Sequence, residues 1–210
     1  MYNLFFYNIN KMSDELYESE LEKLPRIRRE IILKKHDISD RKRSLAGDIL
    51  AKKYISKIFS VNKENISFAI GEHGKPYVVN VPAHFSISHS GNYTAIAISN
   101  KPIGLDIEML REFSAVVAHR IFNKDELAYI SGAAIPKSKS EMQRCFYEIW
   151  TAKEAYVKYT GQGLSGGISS LSFRKSHLAN DKLVPLKEDI KLYHDFSVPG
   201  AVAAVILPKD

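Results

Sequence analysis

Asp106 and Glu108 stand two residues apart in the stretch Ile103-Gly-Leu-Asp-Ile-Glu-Met109. Side chains of a strand alternate between its faces. The spacing therefore predicts that Ile103, Leu105, Ile107 and Met109 enter a core, while Gly104, Asp106 and Glu108 share the opposite face. Two carboxylates on one face repel unless something positive lies between them. Neighbouring hard oxygen ligands suit Mg²⁺, which takes one or two carboxylates together with water and ligand phosphates. The competing reading is a strand whose outer face is simply wet.

A second polar constellation lies in Trp150-Thr-Ala-Lys-Glu-Ala-Tyr-Val-Lys-Tyr-Thr-Gly-Gln-Gly-Leu164. On a helix Trp150, Glu154 and Lys158 fall along one stripe, with Phe146, Ile149, Tyr156 and Val157 as apolar contacts. A glutamate four residues before a lysine also favours a surface ion pair, worth ~0.3–0.5 kcal/mol. The stretch thus suits either a solvated face or a working one. Gly161, Gly163 and Gly166 spell G-x-G-x-x-G, but a dinucleotide site needs a strand before the glycines and a helix after them. Here the helix comes first, so Gly161 is expected as its C-cap. Ser88-His89-Ser90 lacks the nucleophile elbow and has no paired acid in sequence. His89 either bonds a strand-end backbone group or, with Ser88, binds a phosphate.

The chain of 210 residues holds one large domain or two of about 100 residues each. A single cysteine, Cys145, excludes an internal disulfide framework and a multi-cysteine zinc site, which fits a reducing compartment. The opening MYNLFFYNIN has no positive leader or small-residue cleavage site, and reads as a strand rather than a signal peptide. No apolar run approaches the ~20 residues of a membrane helix. The expectation is a cytoplasmic protein with no membrane partner. A net charge of +6 and a pI near 9.2 suit anionic partners or serve solubility. Nucleic acid is not expected, because no binding motif is present and the basic residues are not interleaved with exposed aromatics.

The elements that must position these residues follow from pattern. Ser13 caps a helix carrying Leu16, Leu21 and Leu24, which Pro25 interrupts or restarts. Leu45, Ile49, Ile55 and Phe59 mark the next helix, capped by Ser39 or Asp40 and basic at Arg41, Lys42 and Arg43. Strands are expected at ISFAIG, YVV, HFSIS, Tyr93–Ser99 and Ile103–Met109. A looser segment at 110–140 includes a short helix at Asp125–Ile130, and a long helix covers Glu141–Thr160. ISSLSFR, IKLYHDF and AVAAVIL complete the strands. The element order repeats roughly, which predicts an α+β fold of two similar halves, 1–102 and 103–210, each a small antiparallel sheet packed with a long helix. A pocket between such halves is a common ligand site.

In order, Gly74-Lys-Pro76, Phe85-Ser-Ile-Ser-His-Ser-Gly91, Ile103–Glu108 and Phe146–Leu164 resemble the motif series of the Sfp-type 4′-phosphopantetheinyl transferases. The motifs span residues 74–164, and RKRSLAGDIL is similar to the family's basic helix. The resemblance implies transfer of 4′-phosphopantetheine from coenzyme A to a serine of an apo acyl or peptidyl carrier domain. Adenosine 3′,5′-bisphosphate is released. It implies a monomer of two pseudo-symmetric halves with coenzyme A between them.

Carried over residue by residue, the resemblance implies that Asp106, Glu108 and Glu154 hold Mg²⁺ or Mn²⁺. Glu154 also takes the proton of the incoming serine, and Lys158 lies against the pyrophosphate. Arg43 and Ser44 match 3′-phosphate positions, with Arg28 as a further contact. Ile31 stands where the family often has a second basic residue. Lys75 and Pro76 match the adenine loop, and Ser88 and His89 match phosphate contacts. Phe113, Ile121, Phe122 and Leu127 fall in the carrier-docking region and suit either anchors or core. The rival reading is a coenzyme A-binding module without turnover, which would not need all three carboxylates and Lys158.

Overall fold

The structure, a computed structural model, describes residues 1–132, 136–163, 171–176, 182–185, 187 and 189–209. The first half contains β1 (Tyr2–Asn8), α1 (Asp14–Glu22), α2 (Arg26–Leu33), α3 (Ile38–Phe59), β2 (Phe68–Ile70), β3 (Pro76–Val78), β4 (His84–Ser90) and β5 (Tyr93–Ser99). The second contains β6 (Gly104–Met109), α4 (Ala115–Ile121), α5 (Lys124–Ser131), α6 (Lys139–Thr160), β7 (Phe173–Ser176), β8 (Lys182–Pro185), β9 (Ile190–Asp195) and β10 (Ala201–Pro208).

Each half has a three-stranded antiparallel sheet whose last strand lies in the middle: β1-β5-β4 and β6-β10-β9. Each also has a helix of 22 residues, α3 or α6. The repeat foreseen from element order is therefore an internal pseudo-symmetry of an α+β fold.

Strand alternation builds the layers. Ile96 and Ile98 of β5 pack with Leu50 and Ile55 of α3. Ala95 and Ala97, on the other face of β5, meet Leu105, Ile107, Ala203 and Val205 of the second sheet. Val202, Ala204 and Ile206 of β10 turn away from that contact and pack with Ile149, Ala152 and Ala155 of α6. The order is thus α3, sheet, sheet, α6. The tightly packed apolar faces supply most of the stabilising burial.

Helix ends match local chemistry. The Ser13 hydroxyl accepts from Leu16 N as expected, and Pro25 precedes α2. The cap of α3 is Asp37, one of three neighbouring residues able to do it, rather than Ser39 or Asp40; its carboxylate accepts from both their amides. Gly161 ends α6 with φ 69°, in the left-handed region that favours glycine. Among the additions to the expected elements are α4 and β8. Leu164, Gly166 and the first three residues of ISSLSFR lie outside the described residues.

Lys153 and Glu126 form an ion pair at 3.0 Å with both side chains almost fully buried. Lys153 also donates to Leu171 O at 2.7 Å, and Glu126 accepts from Phe173 N at 3.1 Å. The pair ties α5, α6 and the chain leading into β7 together. No helix of the described residues is long and apolar enough to cross a membrane.

Candidate active site

The two carboxylates of β6 face α6, as alternation requires. Gly104 lets the strand approach: a Cβ there would overlap Ala155 O and lie 2.6 Å from Tyr159 N. Two residues on, the side of β6 that met helix backbone at Gly104 carries Asp106. Ser88 Oγ donates to Asp106 Oδ1 at 2.7 Å, and Lys158 Nζ donates to the same oxygen at 2.7 Å and to Ser88 Oγ at 2.8 Å. Lys158 thus reaches across to β6 and β4, and its ion-pair partner is Asp106 rather than Glu154. Ser90 Oγ donates to Glu108 Oε2 at 2.6 Å.

This cluster carries excess negative charge. Burial pushes the Glu154 carboxyl up, Asp106 pushes it further, Lys158 opposes, and Glu108 adds to the rise. Burial also pushes Glu108 up, partly offset by the Ser90 hydrogen bond and reinforced by Asp106. Asp106 Oδ2 is buried with no hydrogen-bond partner. A buried carboxylate oxygen without a partner is costly, and a cation beside it would remove that cost. Among the described residues no three His, Cys, Asp or Glu side chains form a ready-made metal site. Asp106, Glu108 and Glu154 offer only oxygen donors, a chemistry that suits a hard cation.

Cations line the adjoining surface. His89 keeps an exposed edge, yet its imidazole is pushed below its ordinary pKa by the packing around it, then by Arg43, Lys158 and Lys35. Arg43 donates to Gly91 O at 2.7 Å and to Asp40 Oδ1 at 2.5 Å, which fixes its guanidinium beside the β4–β5 turn. Ser44 follows it on α3. Arg28 is held by Asp48 in a two-point contact at 2.7 and 3.1 Å, so its charge is largely committed to α3.

A cleft of about 240 Å³ opens between the halves, lined by Lys75, Pro76, Ser86, Ile87, Val157 and Lys158, with His73, Gly161 and Gly163 at its edge. Lys75 Nζ donates to Ile103 O at 3.0 Å and to Lys158 O. Burial, then the Lys158 charge, brings its pKa down to about 8.

Two family models divide this chain. Residues 102–205 match the 4′-phosphopantetheinyl transferase superfamily, and residues 11–101 match the 4′-phosphopantetheinyl transferase N-terminal model. The chain belongs to the 4′-phosphopantetheinyl transferase superfamily. It is 39% identical over 136 residues to the 4′-phosphopantetheinyl transferase Sfp of Bacillus subtilis, covering 64% of this chain and 59% of that protein. It is 36% identical over 140 residues to the 4′-phosphopantetheinyl transferase gsp of Aneurinibacillus migulanus, covering 67% and 57%. A relative named L-aminoadipate-semialdehyde dehydrogenase-phosphopantetheinyl transferase, from Candida glabrata, is 28% identical over 135 residues, covering 60% and 52%. The chain spans about three fifths of the length of the first two of these curated relatives.

Against the expectations from sequence, the structure groups Ser88, Asp106 and Lys158 through direct bonds. It places Glu108, Glu154 and His89 within their electrostatic reach, and Arg43 within reach of His89. Phe122 is core, whereas Phe113, which stacks on Phe146 at 4.4 Å, Ile121 and Leu127 are half-buried against the same cluster. Reasoning from sequence missed Ser86, and considered Ser90 only within a rejected nucleophile motif. Their Oγ atoms accept from Leu105 N and Met109 N, each at 3.1 Å, bridging strands that belong to different sheets. The alternation Ser86-Ile-Ser-His-Ser90 carried that signal: three hydroxyls on one face of β4. Lys35 beside His89 had no such pattern.

Proposed function

We propose that this chain transfers 4′-phosphopantetheine from coenzyme A to a serine hydroxyl of an apo acyl or peptidyl carrier domain, releasing adenosine 3′,5′-bisphosphate. The observation that carries the reading is Asp106. It is buried, bonded by Lys158 and Ser88 on one oxygen, and orphaned on the other, beside a cleft between the halves.

Asp106, Glu108 and Glu154 would hold Mg²⁺, or Mn²⁺ in its place. Bound there, the ion would offset charge on the pyrophosphate as its P–O bond breaks. Glu154 takes the proton of the attacking serine. The serine oxygen forms the new bond to phosphorus, and the nucleotide leaves with the electrons of the old one. Lys158, already directed at Asp106 and Ser88, faces the leaving phosphate and stabilises its charge. Ser88 and His89 contact the phosphates. Arg43 and Ser44, with Arg28 if it releases Asp48, hold the 3′-phosphate. The Lys75–Pro76 turn lies against the adenine.

In this reading residues 1–102 bind the nucleotide, and residues 103–210 supply the carboxylates, the helix base and the carrier-docking face. The protein acts as a cytoplasmic monomer, and its net charge of +6 steers an acidic carrier towards it. The test is release of adenosine 3′,5′-bisphosphate from coenzyme A in the presence of Mg²⁺ and apo carriers. One nucleotide per modified carrier is expected, and none from Asp106→Ala. Wild-type-like release by Asp106→Ala would remove the metal assignment.

A further inference from the structure

Lys75 is placed by a tight turn. Gly74 N donates to Gly71 O and Gly71 N donates to Lys75 O, each at 2.9 Å, and Gly74 has φ 81°. The residue is therefore delivered from a hydrogen-bonded turn of the first half. Its ammonium does not point into the cleft alone. Both of its hydrogen-bond acceptors belong to the second half: Ile103 O, just before β6, and Lys158 O, in the last turn of α6.

Those acceptors flank the place where strand and helix touch. Gly104, beside Ile103, is where any Cβ would collide with the backbone of Ala155 and Tyr159. Tyr159 is the neighbour of Lys158. The crossing is thus closed by two features at one point: the missing side chain of Gly104, and an ammonium bonded to a carbonyl on each partner. A lysine is well suited to it, because the last carbonyls of a helix lack intrahelical partners and carry partial negative charge.

We infer that Lys75 is a positioning residue that fixes the strand bearing Asp106 and Glu108 against the helix bearing Glu154 and Lys158. The turn it belongs to also lines the cleft, so ligand contact with that turn and alignment of the acidic groups are mechanically joined. Lysine as a mere ligand contact would leave the β6–α6 crossing untouched.

Two measurements on Lys75→Met and Lys75→Arg decide this. The first is amide hydrogen exchange, which needs no activity. Faster exchange confined to the last turn of α6 and the start of β6 is expected in Lys75→Met, with recovery in Lys75→Arg, whose fork can reach two carbonyls. Unchanged exchange there, or a rise spread evenly over the chain, overturns the inference. The second, which rests on the transferase reading, is steady-state transfer. Misplacement on the order of 1 Å costs about 100-fold in rate, so kcat should fall about that far in Lys75→Met, a loss that a ligand-contact role alone would not produce. A raised KM with kcat intact overturns the inference. If the wild-type protein transfers nothing, the transferase reading fails, and the exchange experiment alone decides the role of Lys75.

Discussion

Phe5 of β1 and Asp106 of β6 occupy the same place in their two halves. In β1 the positions facing the helix are Asn3, Phe5 and Tyr7; in β6 they are Gly104, Asp106 and Glu108. Counted from the last residue of each long helix, Lys53 and Lys57 of α3 stand where Glu154 and Lys158 stand in α6. Both helices end in a left-handed residue, Ser60 or Gly161. Yet Phe5 stacks on Tyr54 with ring centroids 3.6 Å apart, closing the strand–helix gap with aromatic surface. In the second half the gap closes at a glycine and then opens onto acids. One scaffold therefore gives packing in one half and a charged, undercompensated site in the other. The difference lies in a few helix-facing residues rather than in the backbone.

The comparison breaks if the aromatic side matters to chemistry or the acidic side does not. The largest contrast is expected for Glu154→Gln, which should abolish transfer while the circular dichroism spectrum is retained. Lys158→Met should cost about 100- to 1,000-fold in kcat, whereas Lys57→Met should stay within about twofold. Equal losses from the two lysine variants, measured by the same transfer assay, would erase the asymmetry.

Stability is expected to respond elsewhere. Removing one partner of a buried ion pair costs about 3–5 kcal/mol, so Glu126→Ala should lose that much in denaturant unfolding. Phe5→Leu should lose only about 1 kcal/mol, since it keeps a branched apolar side chain at that place, and should leave kcat intact. A loss from Glu126→Ala no larger than that from Phe5→Leu would show that the pair does not hold α5 to α6.

Ser90→Ala sharpens the picture of the seam. Partners that orient a metal ligand typically contribute about 10- to 100-fold in affinity. Mn²⁺ binding in the presence of coenzyme A should weaken by about tenfold, with Ser90→Thr restoring it. Unchanged affinity would mean that the Ser90–Glu108 bond has no role in orientation.

The smallest effect concerns histidines. His194 is half-buried in the second half, bonded to Glu148 O at 2.9 Å, and its pKa is pushed down, chiefly by the packing around it. The unfolded chain takes up a proton near pH 6.5 and the folded protein does so only at lower pH. Stability from this group is therefore present above about pH 6.5 and is lost as pH falls, by up to about 1.4 kcal/mol per pH unit. His194→Gln should flatten that slope in denaturant titrations at successive pH values. His89, partly open among its cations, should contribute less.

Much of this was legible in local pattern. Alternation placed Asp106 and Glu108 on one face, and the helix–glycine order made Gly161 a cap and excluded a dinucleotide site. What was hidden depends on contacts between distant segments. Lys158 looked like the partner of Glu154 because i,i+4 spacing is visible along the chain, while Asp106 lies on another element. Lys153 and Glu126 looked like ordinary helix charges until packing buried them both. Asp37, Ser39 and Asp40 are all competent caps, and only the course of the backbone chose Asp37. The Lys75 bonds join residues 75, 103 and 158, a relation no periodicity reveals.

The most direct test is intact-protein mass spectrometry of apo carrier domains incubated with coenzyme A and this protein, with Mg²⁺, with chelator, and with Glu154→Gln in place of the wild type. The account predicts a mass gain of one phosphopantetheine on a carrier with wild-type protein and Mg²⁺ only. No gain on any carrier, from protein that still binds coenzyme A, would contradict it and leave a binding module on a transferase scaffold.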